Sequence, residues 1–348
     1  MKENHRIQFL DATLRDGGFA LEDLNIKGLS ACAFTAESIN GIARAVSLSK
    51  ADIVEIGAVE ISPDDKRKFA IYQNIESISA TIPSVATKGQ RFACMYRGPD
   101  TPVNRIPDWN PALCEMPRII LRYSELSKSL DFCRALAAKG YKVCVQPMVT
   151  ARYSPEELDS VLVAANEMGA YAVYFVDSYG YMMASDVEHY FKVYADRLDQ
   201  EIRIGFHAHN NINLAFANVL HFLKISEGRN VIVDACVLGA GQGAGNCQSE
   251  LLVPCLNELY HKAYDYAAIL RACETVEAVF GSDICRHSPV FSVPAFRRAA
   301  YKYGVDMRRQ RNFGYQEIDR ILSIMPHGLK QRYTPGDLEM LLNGRGER

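Results

Sequence analysis

The segment Glu201-Ile202-Arg203-Ile204-Gly205-Phe206-His207-Ala208-His209-Asn210-Asn211 decides how this chain is read. Ile202–Phe206 has the short apolar pattern of a strand. Successive side chains on a strand point to opposite faces, so His207 and His209, two apart, face the same way. Two imidazoles on one face at a strand end can close on one divalent cation, histidine being the commonest metal ligand. The plainer alternative is a pair of partly buried, hydrogen-bonded histidines. A metal also needs a hard third ligand, and Leu10-Asp11-Ala12-Thr13-Leu14-Arg15-Asp16-Gly17-Gly18 offers one near the N-terminus.

The same strand signal recurs along the chain. Ile7–Leu10, Asp52–Ile56, Arg91–Met95, Arg118–Leu121, Lys142–Pro147, Ala172–Val176 and Val231–Ala235 join Ile202–Phe206 as strands. Several are continuous apolar runs, as expected of strands covered on both faces. Helical segments separate them. Thr35 is placed to cap a helix over Ala36–Ser49, and Gly140 to end one over Ser127–Lys139. Ser154-Pro155-Glu156-Glu157 opens another, which runs to Met168 and stops at Gly169. Strand and helix alternating in this way predict an α/β fold, a (β/α)8 TIM barrel; a doubly wound sheet needs fewer strands and a switch point.

Such a barrel takes about 250 residues, and the chain has 348. From about Tyr264 the strand signal ends, and helices are expected over Asp265–Phe280, Pro294–Tyr303, Tyr315–Ser323 and Pro335–Asn343. The expected division is a catalytic barrel at 1–262 and a C-terminal helical domain at 263–348. The irregular segment Arg97–Pro117, rich in Pro and Asp, follows the third strand, where a loop of this length is commonly functional or a lid.

Composition excludes several classes of function. Hydrophobic residues make up 48% and charged residues 23%, the balance of a soluble globular protein. A net charge of −2 with no long basic block leaves no electrostatic footprint for nucleic acid. The first six residues carry no apolar signal region, and no run approaches the roughly 18 apolar residues of a membrane span. Among ten cysteines no pair is closer than Cys247 and Cys255, so no Cys-x-x-Cys motif exists. Several, such as Cys144 and Cys236, sit in apolar runs and read as buried free thiols in a reducing, cytoplasmic setting.

On a barrel, the C-terminal ends of the strands and the loops after them converge on one site. Asp16 follows the first strand, Glu55 ends the second, Ser178 follows the sixth, His207 and His209 end the seventh, and Asn246 follows the eighth. Strands one, seven and eight become neighbours on closure, which brings Asp16 towards the two histidines. Two nitrogens and a carboxylate with open positions suit Mn²⁺, Mg²⁺, Co²⁺, Zn²⁺ or Fe²⁺ without choosing among them. The run Gly239–Gly245 holds a GxGxxA pattern, but a dinucleotide site needs a further βαβ unit, and only helices follow. A tight loop beside a substrate carboxylate or phosphate is the better account. Asp177 is placed to cap the helix that follows it, and Tyr179 and Tyr181 to line a pocket.

Leu14-Arg15-Asp16-Gly17, His207-Ala208-His209-Asn210-Asn211 and Gly241-Gln242-Gly243-Ala244-Gly245-Asn246, in this order at these strand ends, resemble the HMG-CoA lyase-like (DRE-TIM) metallolyases. Within that group, Val176-Asp177-Ser178-Tyr179-Gly180-Tyr181-Met182 and Ala299-Ala300-Tyr301-Lys302-Tyr303-Gly304-Val305 are most similar to the 4-hydroxy-2-oxovalerate aldolases. The resemblance implies a divalent-metal-dependent aldolase, a carbon–carbon lyase acting on a 4-hydroxy-2-keto acid through a pyruvate enolate. Mn²⁺ or Mg²⁺ is implied ahead of Zn²⁺ or Co²⁺. Asp16, His207 and His209 are the implied ligands, with Asn246 as a further one. Arg15 would polarise the keto oxygen, with Glu55 as its support, and Ser178 would hold the substrate carboxylate. The implied ligands are a small 2-keto acid and an aldehyde. The C-terminal helices would dock an aldehyde dehydrogenase or a second copy of the chain.

Elementary chemistry agrees, since an enolate is poorly stabilised in water and fixed positive charge at its oxygen lowers the barrier. The chain also departs from the resemblance. Phe19 stands where the aldolases carry a histidine, and Phe291 where they carry a tyrosine. The general base is therefore open, with Tyr181, Glu22, Asp23 and His287 as candidates. Three rivals remain: a Claisen-type acyl-CoA condensing enzyme of the isopropylmalate or homocitrate synthase kind, an Fe²⁺ oxygenase, and a keto-acid-binding barrel that has lost its chemistry. Against the first, Gln242 and Gly243 stand where condensing enzymes carry charged residues.

Overall fold

The computed structural model describes residues 7–343 apart from 27, 29 and 282–285. Eight parallel strands close into a barrel: β1 Ile7–Asp11, β2 Ile53–Val59, β3 Arg91–Tyr96, β4 Met116–Ile120, β5 Cys144–Gln146, β6 Ala172–Asp177, β7 Arg203–Ala208 and β8 Val231–Ala235. Closure is made by β1, which pairs with β8 from Ile7↔Val231 to Asp11↔Ala235 and with β2 at Leu10↔Ile53. A two-residue strand, Ile71–Tyr72, pairs with β2 outside the ring. The strands are buried along nearly their whole length, as their continuous apolar runs require. The eight expected strands are all present; β4 begins two residues earlier than read, because Met116 and Pro117 also pair with β3.

Helix boundaries follow their local chemistry. Thr35 and Ser38 form a reciprocal cap on Ala36–Leu48, and Ser154 and Glu157 do the same for Pro155–Glu167. Leu14-Arg15-Asp16-Gly17, expected after the first strand, is the first turn of a buried helix, Thr13–Ile26. The expected helix Pro294–Tyr303 is two helices, Pro289–Phe296 and Tyr301–Val305. The break falls at Arg298, whose φ of 52° ends the first helix with its last carbonyls bonded by Arg297, Arg298 and Ala299.

Two cores result. The larger surrounds the barrel and includes Ile269, Ala272 and Val276 of helix Tyr266–Phe280, which packs on Ala36–Leu48. The smaller joins Ala299, Tyr303, Met307, Ile318, Leu322 and Leu338 in the last helices. Tyr179 packs against both, and its hydroxyl donates to the Gln331 carbonyl, so these helices sit over the C-terminal mouth of the barrel. Segment Arg97–Pro117 packs down the barrel side, with Trp109 against the core and the Pro107 carbonyl accepting from Tyr141. Among the described residues no helix is long and apolar enough to cross a membrane.

The barrel centre is ionic. Arg118 of β4 has no solvent exposure; Nη1 donates to Glu55 Oε2 at 2.6 Å, Nη2 to the Asp234 carboxylate, and its guanidinium lies 4.6 Å from the Tyr174 ring centre. Burial pushes the Asp234 carboxyl up, but Arg118 and His207 outweigh it and hold it below the usual range. Gly57 follows Glu55 at a break in the β2–β3 register, with φ at 142°. A Cβ there would lie 2.1 Å from the Ala70 carbonyl oxygen, so only glycine allows this bulge.

At the end of β6, Asp177 accepts from the Tyr181 and Met182 amides, 3.0 Å each, shaping the turn that carries Ser178 and Tyr179. It braces this turn rather than capping the next helix, where Asp186 holds the Met183 amide. Burial raises its pKa from 3.8 to about 7.

Two outcomes follow from these buried charges. Arg118→Met takes the bridging cation away from both carboxylates, leaving Glu55 with Arg15 alone and Asp234 with His207 alone, and urea denaturation is expected to show a loss of about 3–5 kcal/mol; a loss under about 1 kcal/mol contradicts the bridging role. For Asp177, the folded chain keeps a proton that the unfolded chain releases near its ordinary carboxylate value. Its stabilising contribution is therefore full below about pH 4 and is lost, at up to ~1.4 kcal/mol per pH unit, as pH rises towards 7. Asp177→Asn should gain stability relative to the wild type between pH 4 and 7; a constant difference across that range contradicts the assignment.

Candidate metal centre and active site

The Arg-Asp pair in the first turn of Thr13–Ile26 opens the site. Asp11 accepts from the Thr13 amide at 3.0 Å and so directs the chain from β1 into this helix. Asp16 is then placed beside the end of β7. Its Oδ2 lies 3.3 Å from His207 Nε2 and accepts from Asn246 Nδ2 at 2.6 Å, while its other oxygen pairs with Arg15. Burial works against the Asp16 charge, but Arg15 beside it holds its carboxyl below the usual value. Ligand atoms of Asp16, His207 and His209 all lie within 4.8 Å of one another.

Each imidazole is oriented from behind. His207 Nδ1 is 2.9 Å from Asp234 Oδ2, a contact that assigns the proton to Nδ1 and leaves a lone pair on Nε2. The His209 ring donates to the Gln242 backbone carbonyl. Burial and the nearby His207 lower the His209 pKa to about 4, so it is neutral at physiological pH. His207 Nε2 and Asn246 Oδ1 are buried and have no hydrogen-bond partner, and Nε2 faces a carboxylate oxygen that is itself only an acceptor. Facing acceptors, two neutral nitrogens and an anionic oxygen fit a divalent cation. Cys236 Sγ, 3.8 Å from Asp16, is held as a thiol, its pKa raised by burial and the Asp16 charge.

Arg15 Nε donates to Glu55 Oε2 at 2.9 Å, the oxygen that also takes Arg118. The result is one continuous charge chain: Asp16, Arg15, Glu55, Arg118, Asp234, His207. Asn246 is backed by the glycine-rich loop; a Cβ on Gly241 would lie 2.4 Å from its Oδ1. The same loop braces the His-x-His-Asn-Asn motif, with Asn211 Oδ1 accepting from the Ala244 amide at 2.7 Å.

The cavity above these groups has a volume of about 490 Å³, within the range of small-molecule sites. Arg15, Asp16, His207, His209, Ser178 and Phe19 line it. Two candidate catalytic residues do not. Glu55 lies behind Arg15 and acts as a positioning residue. Tyr181 is buried outside the cavity with the Arg298 guanidinium 4.9 Å from its ring centre, because Asp177 turns the chain inward at its amide. Of the remaining base candidates, Glu22 is held by Lys66 and Arg97, and His287 is exposed away from the cavity. Asp23 is held by Lys302 Nζ at 2.8 Å and by the Tyr301 hydroxyl at 3.2 Å. Tyr301 does line the cavity and packs edge-on to Phe291.

The sequence reading passed over Arg118 and Asp234. Their signal was present, since a charged residue inside an otherwise apolar strand buried on both faces must have a buried partner. Tyr301 and Arg332 carry no such signal, because they reach the cavity only through the packing of the last helices on the barrel.

Residues 121–276 match the HMGL-like family. The 4-hydroxy-2-oxovalerate aldolase of Burkholderia pseudomallei (strain K96243) is 30% identical over 254 residues, covering 72% of this chain and 68% of that protein. An oxaloacetate decarboxylase of Mycobacterium tuberculosis is 29% identical over 205 residues, 59% of this chain and 54% of that one. The crystal structure of hydroxymethylglutaryl-CoA lyase from Pseudomonas aeruginosa superposes with a TM-score of 0.61 over 82% of this chain and 95% of the lyase; at 18% identity this likeness concerns the fold. On the aldolase relative and the matched segment together, the chain belongs to the HMGL-like family of enzymes.

Proposed function

We propose that this chain is a divalent-metal-dependent aldolase that cleaves or forms a 4-hydroxy-2-keto acid through the enolate of pyruvate. The observation that carries this reading is the Asp16, His207 and His209 cluster lining the cavity with the Arg15 guanidinium beside it. Asp16, His207 and His209 would hold a divalent cation, Mn²⁺ or Mg²⁺ by preference, which would supply Lewis-acid charge to the substrate. Arg15, fixed by Asp16 and Glu55, adds donors for the oxygen that becomes anionic. Ser178 accepts from the Val149 amide at 2.7 Å, which leaves its hydroxyl hydrogen for the substrate carboxylate.

In cleavage a base removes the C4 hydroxyl proton, the C3–C4 bond breaks to release the aldehyde, and C3 of the enolate takes a proton to give pyruvate. Phe19 cannot move that proton. Its ring is occupied instead by Arg97, 3.9 Å from its centre. Tyr301 is the proton-transferring group we assign: its hydroxyl faces the Asp23 carboxylate, and Lys302 fixes that carboxylate. Burial and Asp23 both raise its pKa, so the phenol is neutral at rest and relays a proton rather than standing ionised.

With Mn²⁺ present, deuterium should wash into the pyruvate methyl group, and Arg15→Ala and Asp16→Asn should each slow this by about a hundredfold or more. Equal rates in all three proteins contradict the site. Tyr301→Phe should slow aldol cleavage by about a hundredfold with pyruvate affinity kept; an unchanged rate removes Tyr301 from the relay.

A further inference from the structure

More cations than carboxylates line the cavity. Six cations line it, Arg15, Arg97, Arg122, Arg152, Lys302 and Arg332, against one lining carboxylate, Asp16. Four of the six are matched by carboxylates. Arg15 has Asp16 and Glu55, Arg97 has Glu22 and Glu60, Arg122 has Asp100 and Glu125, and Lys302 has Asp23. Arg152 and Arg332 are different. Among the described residues neither meets a carboxylate; Arg152 stacks on the Tyr123 ring at 3.9 Å.

Their placement is specific. Arg152 follows β5, across the eight-strand ring from β1, which delivers Asp16. Arg332 belongs to the segment between the last two helices, pinned to the barrel mouth where Tyr179 donates to the neighbouring Gln331 carbonyl. Both arginines line the cavity together with the half-buried Tyr179. The cavity wall thus carries two guanidiniums with no carboxylate partner among the described residues, Arg152 opposite β1 and two strands from β7, and Arg332 at the exposed rim. Guanidinium pairs of this kind recognise carboxylate or phosphate by charge-assisted hydrogen bonds.

We propose that the aldehyde partner carries its own anionic end group, a carboxylate or a phosphate, and that Arg152 and Arg332 hold it. This rests on the aldolase reading above and names its substrate class. The keto-acid end lies at Asp16, His207 and His209, the new bond forms mid-cavity, and the far anion lies between β5 and the C-terminal helices. Arg332 makes those helices part of the substrate site.

The test compares propanal, succinic semialdehyde and glyceraldehyde 3-phosphate as aldehyde partners for pyruvate, in the wild type and in Arg152→Gln with Arg332→Gln. The wild type should favour one or both anionic aldehydes over propanal by about a hundredfold in kcat/KM, the better one identifying the end group. The double variant should lose most of that preference. Equal use of all three aldehydes by the wild type overturns the proposal, as does a double variant that raises KM for pyruvate in deuterium exchange, which would place the arginines on the keto-acid carboxylate. Calorimetric binding of succinate and glycerol 3-phosphate reads the subsite without turnover, and should weaken at least tenfold in the double variant. Succinate or glycerol 3-phosphate binding lost in the variant, with no pyruvate exchange in the wild type, would keep the anion subsite and sink the aldolase reading instead. Neither ligand binding the wild type overturns the subsite.

Discussion

Arg118 is the constraint on which the site depends. It stands fully buried in the barrel centre and bridges two carboxylates that point to opposite ends of the catalytic set: Glu55 towards Arg15, and Asp234 towards His207. A buried guanidinium needs such partners, and the carboxylates need it in turn, because none of the three charges is tolerable alone in a low-dielectric interior. The rigidity of this chain of charges transfers to Arg15 and His207. Pre-organised donors and lone pairs of this kind stabilise developing charge at no cost in reorganisation.

The second organising feature is the roof. A barrel alone presents an open mouth, whereas here the last helices cover it and contribute Ala300, Tyr301, Lys302, Arg332 and Tyr333 to the cavity wall. Tyr179 and Asp23 are the points of attachment, the first through the Gln331 carbonyl and the second through Tyr301 and Lys302. The floor of the site is therefore built from strand ends, and its upper wall from a separate small core. Phe19 lines the wall from the first helix, and Tyr301 reaches it from the roof, packed edge-on against Phe291.

The barrel was legible because strands buried on both faces leave short continuous apolar runs, and the helices between them carry caps such as Thr35 and Ser154. The metal cluster was legible for a related reason. His207 and His209 share a strand face, and closure of β1 on β8 brings Asp16 to them whatever the details of the loops. Two things were not legible. The break at Arg298 depends on a left-handed residue that is not glycine, which leaves no mark in the sequence. Tyr181 looked like a pocket residue because it lies three positions after Ser178, but the Asp177 carboxylate turns it away from the cavity. Arg118 and Asp234 were readable in principle, as charges in apolar strands.

A carboxylate from the first helix and two imidazoles at the end of β7 are placed to share one divalent ion. Electron paramagnetic resonance of Mn²⁺ titrated into the metal-free protein measures this directly, since bound ion leaves the sharp spectrum of free Mn²⁺. One ion per chain in the wild type, with binding abolished in Asp16→Asn and in His207→Ala, is the predicted result. Undiminished free Mn²⁺ with the wild type, or equal binding by the variants, would contradict it.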